Sequence, residues 1–170
     1  MNTRPLLNAW TTTIDTSLGA MRAATDGRAI VALEFDAPAI VSTASMPAPA
    51  RGLLDALARA LDAYFEGRQV TFDVALAPAG TPFQLAVWRA LCEIRYGSTV
   101  SYAEIARRVG RPTAMRAVGA ANGRNPIAIV IPCHRVIGAN GTLTGYGGGL
   151  DRKAKLLALE APAPFARVAA

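Results

Sequence analysis

A chain of 170 residues with 52% hydrophobic content and positive mean hydropathy has enough apolar material for one packed domain or two small ones. No apolar run reaches the ~20 residues of a membrane span, the first residues lack a signal-peptide apolar core, and two cysteines with one histidine cannot build a four-ligand zinc site without several carboxylates. These features predict a reduced, cytoplasmic protein with no disulfide framework and no metal. The net charge of +6 is unevenly placed: residues 1–80 carry 6 Arg/Lys and 8 Asp/Glu, residues 81–170 carry 12 and 4. Sixteen of the 18 cations are arginines, which bind phosphate bidentately, so the C-terminal half is expected to face a polyanion.

Trp10–Asp15, Ala20–Thr25 and Ile30–Phe35 read as three strands, joined by turns at Ser17-Leu18-Gly19 and Asp26-Gly27, the latter a hairpin signal. Prolines at 38, 47 and 49 predict an irregular loop over 37–50. Leu53, Leu54, Leu57, Leu61 and Phe65 recur at helical spacing, predicting a helix from Gly52 to Glu66 stopped by Gly67. Val70–Leu76 alternates as a strand would. Ala77-Pro78-Ala79-Gly80 reads as a linker and coincides with the shift in charge, giving expected domains of 1–77 and 78–170.

Beyond it, Thr81-Pro82 opens a helix running to about Ile94, with Cys92 expected in its core near Trp88. Ser101, with Glu104 three residues on, caps a helix ending at Val109-Gly110. After Arg111-Pro112, Thr113 is expected to cap a further helix to Asn122, so that helix, turn and helix form a helix-turn-helix. The second helix carries Arg116 beside Ala117, Gly119, Ala120 and Ala121; on a basic half, small residues with one projecting arginine suit DNA binding. The glycine-dense Gly145–Gly149 suits a loop that a ligand approaches closely. Asp151 is expected to cap a last helix with Leu156, Leu157 and Leu159 inward and Glu160 at its end, followed by an Ala/Pro-rich tail.

The chemistry centres on Ile131-Pro132-Cys133-His134-Arg135-Val136. It holds the only histidine beside one of two cysteines, where the apolar run Ala128–Ile131 breaks at a proline. A thiol with an imidazole neighbour at such a break suits a nucleophilic thiolate. A small buried hydrophobe is the alternative that the pair alone leaves open.

The whole set resembles the O6-alkylguanine-DNA alkyltransferases of the stand-alone bacterial type. The resemblance rests on residues 131–136, Asn125-Pro126, Gly-Tyr-Gly-Gly-Gly-Leu at 145–150, Ser101-Tyr102, and Arg116-Ala117-Val118-Gly119. It is dense over about 81–160 and weaker over 10–76. It implies an α+β fold: a small antiparallel sheet with one helix, ribonuclease-H-like in the family, then a mainly helical domain with a winged-helix-like helix-turn-helix.

The resemblance also implies the roles. Cys133 would accept an alkyl group from O6-alkylguanine, and from O4-alkylthymine, in a flipped nucleotide. His134 would take the thiol proton through a water, oriented by Glu160; Asn125 would hold the segment, and Tyr102 would bond the base and protonate it as it leaves. Backbone groups at Cys133, Val136 and Gly147, with Tyr146 and Gly148, would hold the guanine. Arg116 would fill the gap in the base stack, with Thr113, Ala117, Gly119, Ala120 and Gly123 against double-stranded DNA. No cofactor is expected, and the protein is expected to react once, as a monomer or with copies associating along DNA. A non-catalytic lesion-binding protein is the alternative, against which Cys133 stands.

Overall fold

The structure is a computed structural model that describes residues 9–38 and 45–161. The expectations for the first eight residues, for the tail beyond Ala161 and for part of the 37–50 loop lie outside the described residues. The chain forms two compact units. One comprises residues up to Ala79 with Pro126–Ala128; the other comprises Gly80–Asn125 and the chain from Ile129.

In the first unit, β1 (Trp10–Ile14), β2 (Met21–Thr25) and β3 (Ile30–Phe35) form an antiparallel sheet in that order. All five residues of the central β2 are buried, and buried Arg22 is neutralised by an ion pair with Glu34 across the strand pair. The turn after β2 is closed by the Asp26 side chain, which accepts from the backbone N–H of Arg28 and Ala29 at 2.8 Å. Helix α1 (Ala48–Phe65) packs on β1 and β2 through Ala50, Leu54, Leu57, Leu61 and Tyr64. It begins four residues earlier than its leucine spacing predicts. Pro47 is its N-cap and Pro49 lies in its first turn, where a missing N–H costs no helical bond.

The expected strand at Val70–Leu76 is not one. Only Leu76 makes an isolated parallel bridge, to Ile30. The outer edge of β3 is shared between two short partners. Ile30 bonds Ala75 and Ala77, and Leu33 bonds Pro126 and Ala128, each within 2.9 Å.

In the second unit, Thr81 caps α2 (Pro82–Cys92) in a full capping box with Gln84. Its apolar face, Val87, Trp88 and Leu91, meets α3 (Tyr102–Arg108) and α4 (Met115–Asn122). The Trp88 indole donates to the Ala121 carbonyl at 2.9 Å, fixing α4 against α2. Gly80 lets the ring lie there, since a Cβ at that position would stand 2.6 Å from it. Cys92 is exposed rather than in the core, because it ends α2 one residue past buried Leu91, about 100° around the helix.

Ser101 caps α3 as expected, accepting from Glu104 N–H, but the Glu104 side chain bonds Arg108 and Arg107 instead of closing the box. Thr113 does not cap α4. Residues 111–114 close a tight turn through Ala114 N–H to Arg111 O, and the helix starts after it, with Ala114 as N-cap. Asp151 likewise lies inside the first turn of α5 (Leu150–Glu160), whose N-cap is Gly149. The buried residues of α5 are Lys153, Leu156 and Glu160, while Leu157 and Leu159 are only partly covered.

Two parallel strands of two residues each, β4 (Val100–Ser101) and β5 (Val136–Ile137), are the joint that matters most for the site. β4 runs directly into Tyr102, and β5 directly follows Cys133–Arg135. Their pairing therefore sets the start of the helix-turn-helix beside the cysteine.

Thr81→Ala removes the cap acceptor of α2 and should cost about 1 kcal/mol of unfolding free energy in urea, with an unchanged denaturant slope. A cost near zero would show that the capping box does not help hold α2.

Candidate active site

The apolar run before Cys133 forms a turn rather than a strand end. Ile129 is held at φ 69°, a costly conformation for a β-branched residue, and is 1% exposed. Residues 133–135 then form one turn of 3-10 helix with Cys133, His134 and Arg135 all buried. Asn125 secures this bend with a single amide nitrogen, which donates to Ile131 O at 2.7 Å and to Cys133 Sγ at 3.0 Å.

His134 is fully buried. Its Nε2 lies 2.8 Å from Glu160 Oε1, and its Nδ1 is buried with no hydrogen-bond partner. A neutral imidazole that donates Nε2–H to Glu160 keeps a bare acceptor at Nδ1, which is the form a base requires. Burial lowers the His134 pKa from its ordinary value; the bond to Glu160 opposes that shift without reversing it.

Glu160 also receives Arg135 as a fork, Nε to Oε2 at 2.7 Å and Nη2 to Oε1 at 2.9 Å. Arg135 Nη1 reaches Ile94 O at 2.7 Å, and its guanidinium lies over the Tyr96 ring. The chain passes close to the Glu160 backbone at Gly97. A Cβ there would stand 2.8 Å from Glu160 O, and φ is 71°.

The Cys133 thiol is pushed up to about 11, with burial the largest cause; Asn125, the Lys153 charge and the backbone N–H groups of Cys133 and His134 pull the other way. Cys133 at rest is a thiol. Its environment nevertheless contains the donors that a thiolate would need once the proton is removed on demand.

An open groove of about 610 Å³ is lined by Tyr102, Met115, Arg116, Gly119 and Gly123 on one side and Thr144–Gly147 on the other. Tyr102 Oη donates to Thr144 O at 3.4 Å across it. The Tyr146 hydroxyl is buried without a partner, and its pKa is raised chiefly by burial and next by the Cys133 charge. Tyr146 thus stands between groove and thiol. On α4 and its C-cap Gly123, Met115, Arg116, Ala117, Ala120 and Gly123 are exposed while Val118, Ala121 and Asn122 are buried, so beyond Met115 and the long cation of Arg116 the outer face is low. Among the described residues no group of three or more His, Cys, Asp and Glu side chains is placed to hold a metal, and no helix is long and apolar enough to cross a membrane.

Family models for 6-O-methylguanine DNA methyltransferase match nearly the whole described chain, the ribonuclease-like domain over residues 10–78 and the DNA binding domain over residues 82–162. A methylated-DNA--protein-cysteine methyltransferase of Mycobacterium bovis is 49% identical over 148 residues, 87% of this chain and 90% of that protein. This chain belongs to the 6-O-methylguanine DNA methyltransferase family.

A Methanosarcina mazei methyltransferase of the same name is 66% identical over 100 residues; that match spans 59% of this chain and 63% of the relative's length. The crystal structure of Mycobacterium tuberculosis O6-methylguanine methyltransferase superposes with a TM-score of 0.76 at 46% identity, covering 91% of this chain and 96% of that one. M. tuberculosis OGT in complex with DNA gives 0.74 at 50% identity, covering 89% and 94%. The α+β architecture expected from the sequence is the one these relatives share.

Of the site residues expected from the sequence, the structure gathers Cys133, His134, Asn125 and Glu160 into one cluster, and Tyr102, Arg116, Gly119, Gly123, Tyr146 and Gly147 around one groove. Thr113 lies exposed in the inter-helix turn and does not line that groove. Gly148 gives its carbonyl to Arg152, and the Val136 carbonyl is taken by Lys153 Nζ at 2.6 Å.

Three residues escaped the sequence reading of the cluster. Arg135 forks onto Glu160, fully buried Lys153 ties Val136 O to Thr144 O, and Asn122 bonds Cys133 O at 3.2 Å. A signal for Lys153 existed: it shares with Leu156 and Glu160 the i, i+3, i+7 stripe of α5.

The thiolate absorbance of Cys133, taken as wild type minus Cys133→Ser, should appear only as pH rises from 9 toward about 11. A Cys133 thiolate present at neutral pH would overturn this account of the resting site.

Proposed function

We propose that this protein repairs DNA by transferring an alkyl group from O6-alkylguanine in duplex DNA, and from O4-alkylthymine, to Cys133. The observation that carries the proposal is the bond from Asn125 to the Cys133 sulfur beside a His134–Glu160 pair whose outer nitrogen is bare. Alkyltransferase relatives of high identity support it.

A base stacked in a duplex cannot bring its alkyl carbon to a buried thiol, so the nucleotide must swing out, at a cost of a few kcal/mol. The small residues Ala117, Ala120 and Gly123, all exposed, suit a groove about 6 Å wide, and exposed Arg116 would fill the vacated stack. Tyr102, at the mouth of the groove, exchanges its long bond to Thr144 for one to the base.

His134 Nδ1 takes the thiol proton through a water, and Glu160 stabilises the imidazolium that forms. The S–C bond forms as the C–O6 bond breaks, and the proton ends on the released guanine. A thioether is not hydrolysed under these conditions, so each chain reacts once, as a monomer and without a cofactor.

With duplex DNA carrying O6-[³H-methyl]guanine, one equivalent of label should end on Cys133, and Cys133→Ala should bind the duplex while accepting none. Repeated turnover, or label elsewhere, would refute the proposal. Retained DNA binding with no transfer by the wild type would favour a non-catalytic lesion-binding role.

A further inference from the structure

Among the described residues three large apolar side chains are exposed, and Met115, 50% exposed, is the one of the three that lines the groove. A lone exposed apolar residue needs no explanation in itself; the position of this one on α4 sets it apart. Met115, Gly119 and Gly123 stand at i, i+4 and i+8, along one side of the helix and its cap, and all three border the groove. The Tyr102 ring lies over Gly119, 3.8 Å from where a Cβ would stand. Gly147 approaches the other end, where a Cβ on it would lie 3.7 Å from the Gly123 carbonyl. This stripe of α4 is therefore bare at its middle and at its Gly123 end. Met115 carries its one side chain, about 12 Å along the axis from Gly123, and Arg116 directly follows it.

Rotating a nucleotide out of a duplex uncovers the flat faces of its neighbours, and lost stacking is a main part of the cost. Arg116 answers one need of the gap, since its guanidinium carries five N–H donors that an unpaired base can accept from. It leaves the apolar faces less well covered. A thioether chain has no hydrogen bonds to satisfy, is unbranched, and adapts to an irregular surface. Methionine is among the side chains that minor-groove proteins place against an unstacked step. Met115 lines the groove and adjoins Arg116, so it stands where a strand would pass from the duplex to the groove.

Resting on the alkyl-transfer reading above, we propose that Met115 is a second wedge beside Arg116, packing on the face of the base next to the extruded nucleotide on the same strand and so holding the duplex open. Arg116 then serves the polar side of the gap and Met115 the apolar side. Met115 touches no reacting atom, and its effect falls on opening the duplex rather than on transfer.

The test is single-turnover methyl transfer by the full chain from O6-methylguanine in a duplex and in the same strand alone. Met115→Ala should lower the duplex rate about fivefold more than the single-strand rate. Met115→Gln, which keeps the length but not the apolar surface, should do the same, whereas Met115→Leu should keep the wild-type ratio of duplex to single-strand rates. An abasic site beside the lesion removes the face to be covered. In one of two such duplexes, abasic on the 5′ or on the 3′ side, wild type and Met115→Ala should therefore react at equal rates.

A role in packing α4 alone would slow both substrates alike, and an unchanged ratio in Met115→Ala overturns the inference while leaving alkyl transfer intact. A wild-type ratio in Met115→Gln overturns it too, as does a Met115→Ala deficit that survives in both abasic duplexes. Failure of wild type to accept methyl from either form of O6-methylguanine overturns the alkyl-transfer reading, and this inference with it.

Discussion

The site depends on the buried carboxylate of Glu160, which holds a forked Arg135, the His134 ring and the backbone of Gly97 together at the end of α5. A charge placed there without a partner would cost several kcal/mol, and Arg135 removes that cost by neutralising it with two parallel bonds. Neutralisation has a chemical consequence. With Glu160 already matched by a permanent cation, His134 has little reason to be protonated at rest, and burial lowers its pKa further. Removing Arg135 would leave the carboxylate searching for a proton or a cation, with His134 the nearest candidate. Arg135 thereby helps keep the imidazole neutral, an effect that its place in the hexapeptide does not announce.

The Cys133 thiol is governed by the same competition between burial and donors. Asn125 and two backbone N–H groups favour a thiolate at Cys133, and burial outweighs them. Such a balance keeps the thiol unreactive toward other electrophiles at neutral pH, which the proposed single-use transfer would require. The strained turn at Ile129 and the two-residue β4–β5 joint keep the thiol, Asn125 and Tyr102 in register. Tyr146 connects this interior to the groove through which a base would enter.

The reactive core was legible in the sequence because its chemistry is concentrated in rare residues: one histidine, a cysteine beside it, and glycines and asparagine at fixed places. Helices with clear apolar spacing were equally legible. What escaped depends on tertiary partners. Val70–Leu76 alternates like a strand, yet the edge of β3 that it would pair with is divided with Pro126–Ala128. Thr113 and Asp151 have the composition of caps, but a tight turn and a glycine with positive φ occupy those positions. Lys153, Arg135 and Asn122 look like ordinary polar residues until the fold buries them around Cys133. Cys92 erred the other way, since an apolar neighbourhood in sequence did not make it buried.

The central claim is that a neutral thiol is deprotonated by neutral His134 at the moment of transfer, and the pH dependence of that step tests it most directly. Single-turnover methyl transfer at saturating DNA should be flat from about pH 7 to 9 and fall as acid protonates His134, whose pKa lies below its ordinary 6.5. Glu160→Gln should lower the plateau. A rate that instead climbs steadily through pH 9 in step with the thiolate population would contradict the account.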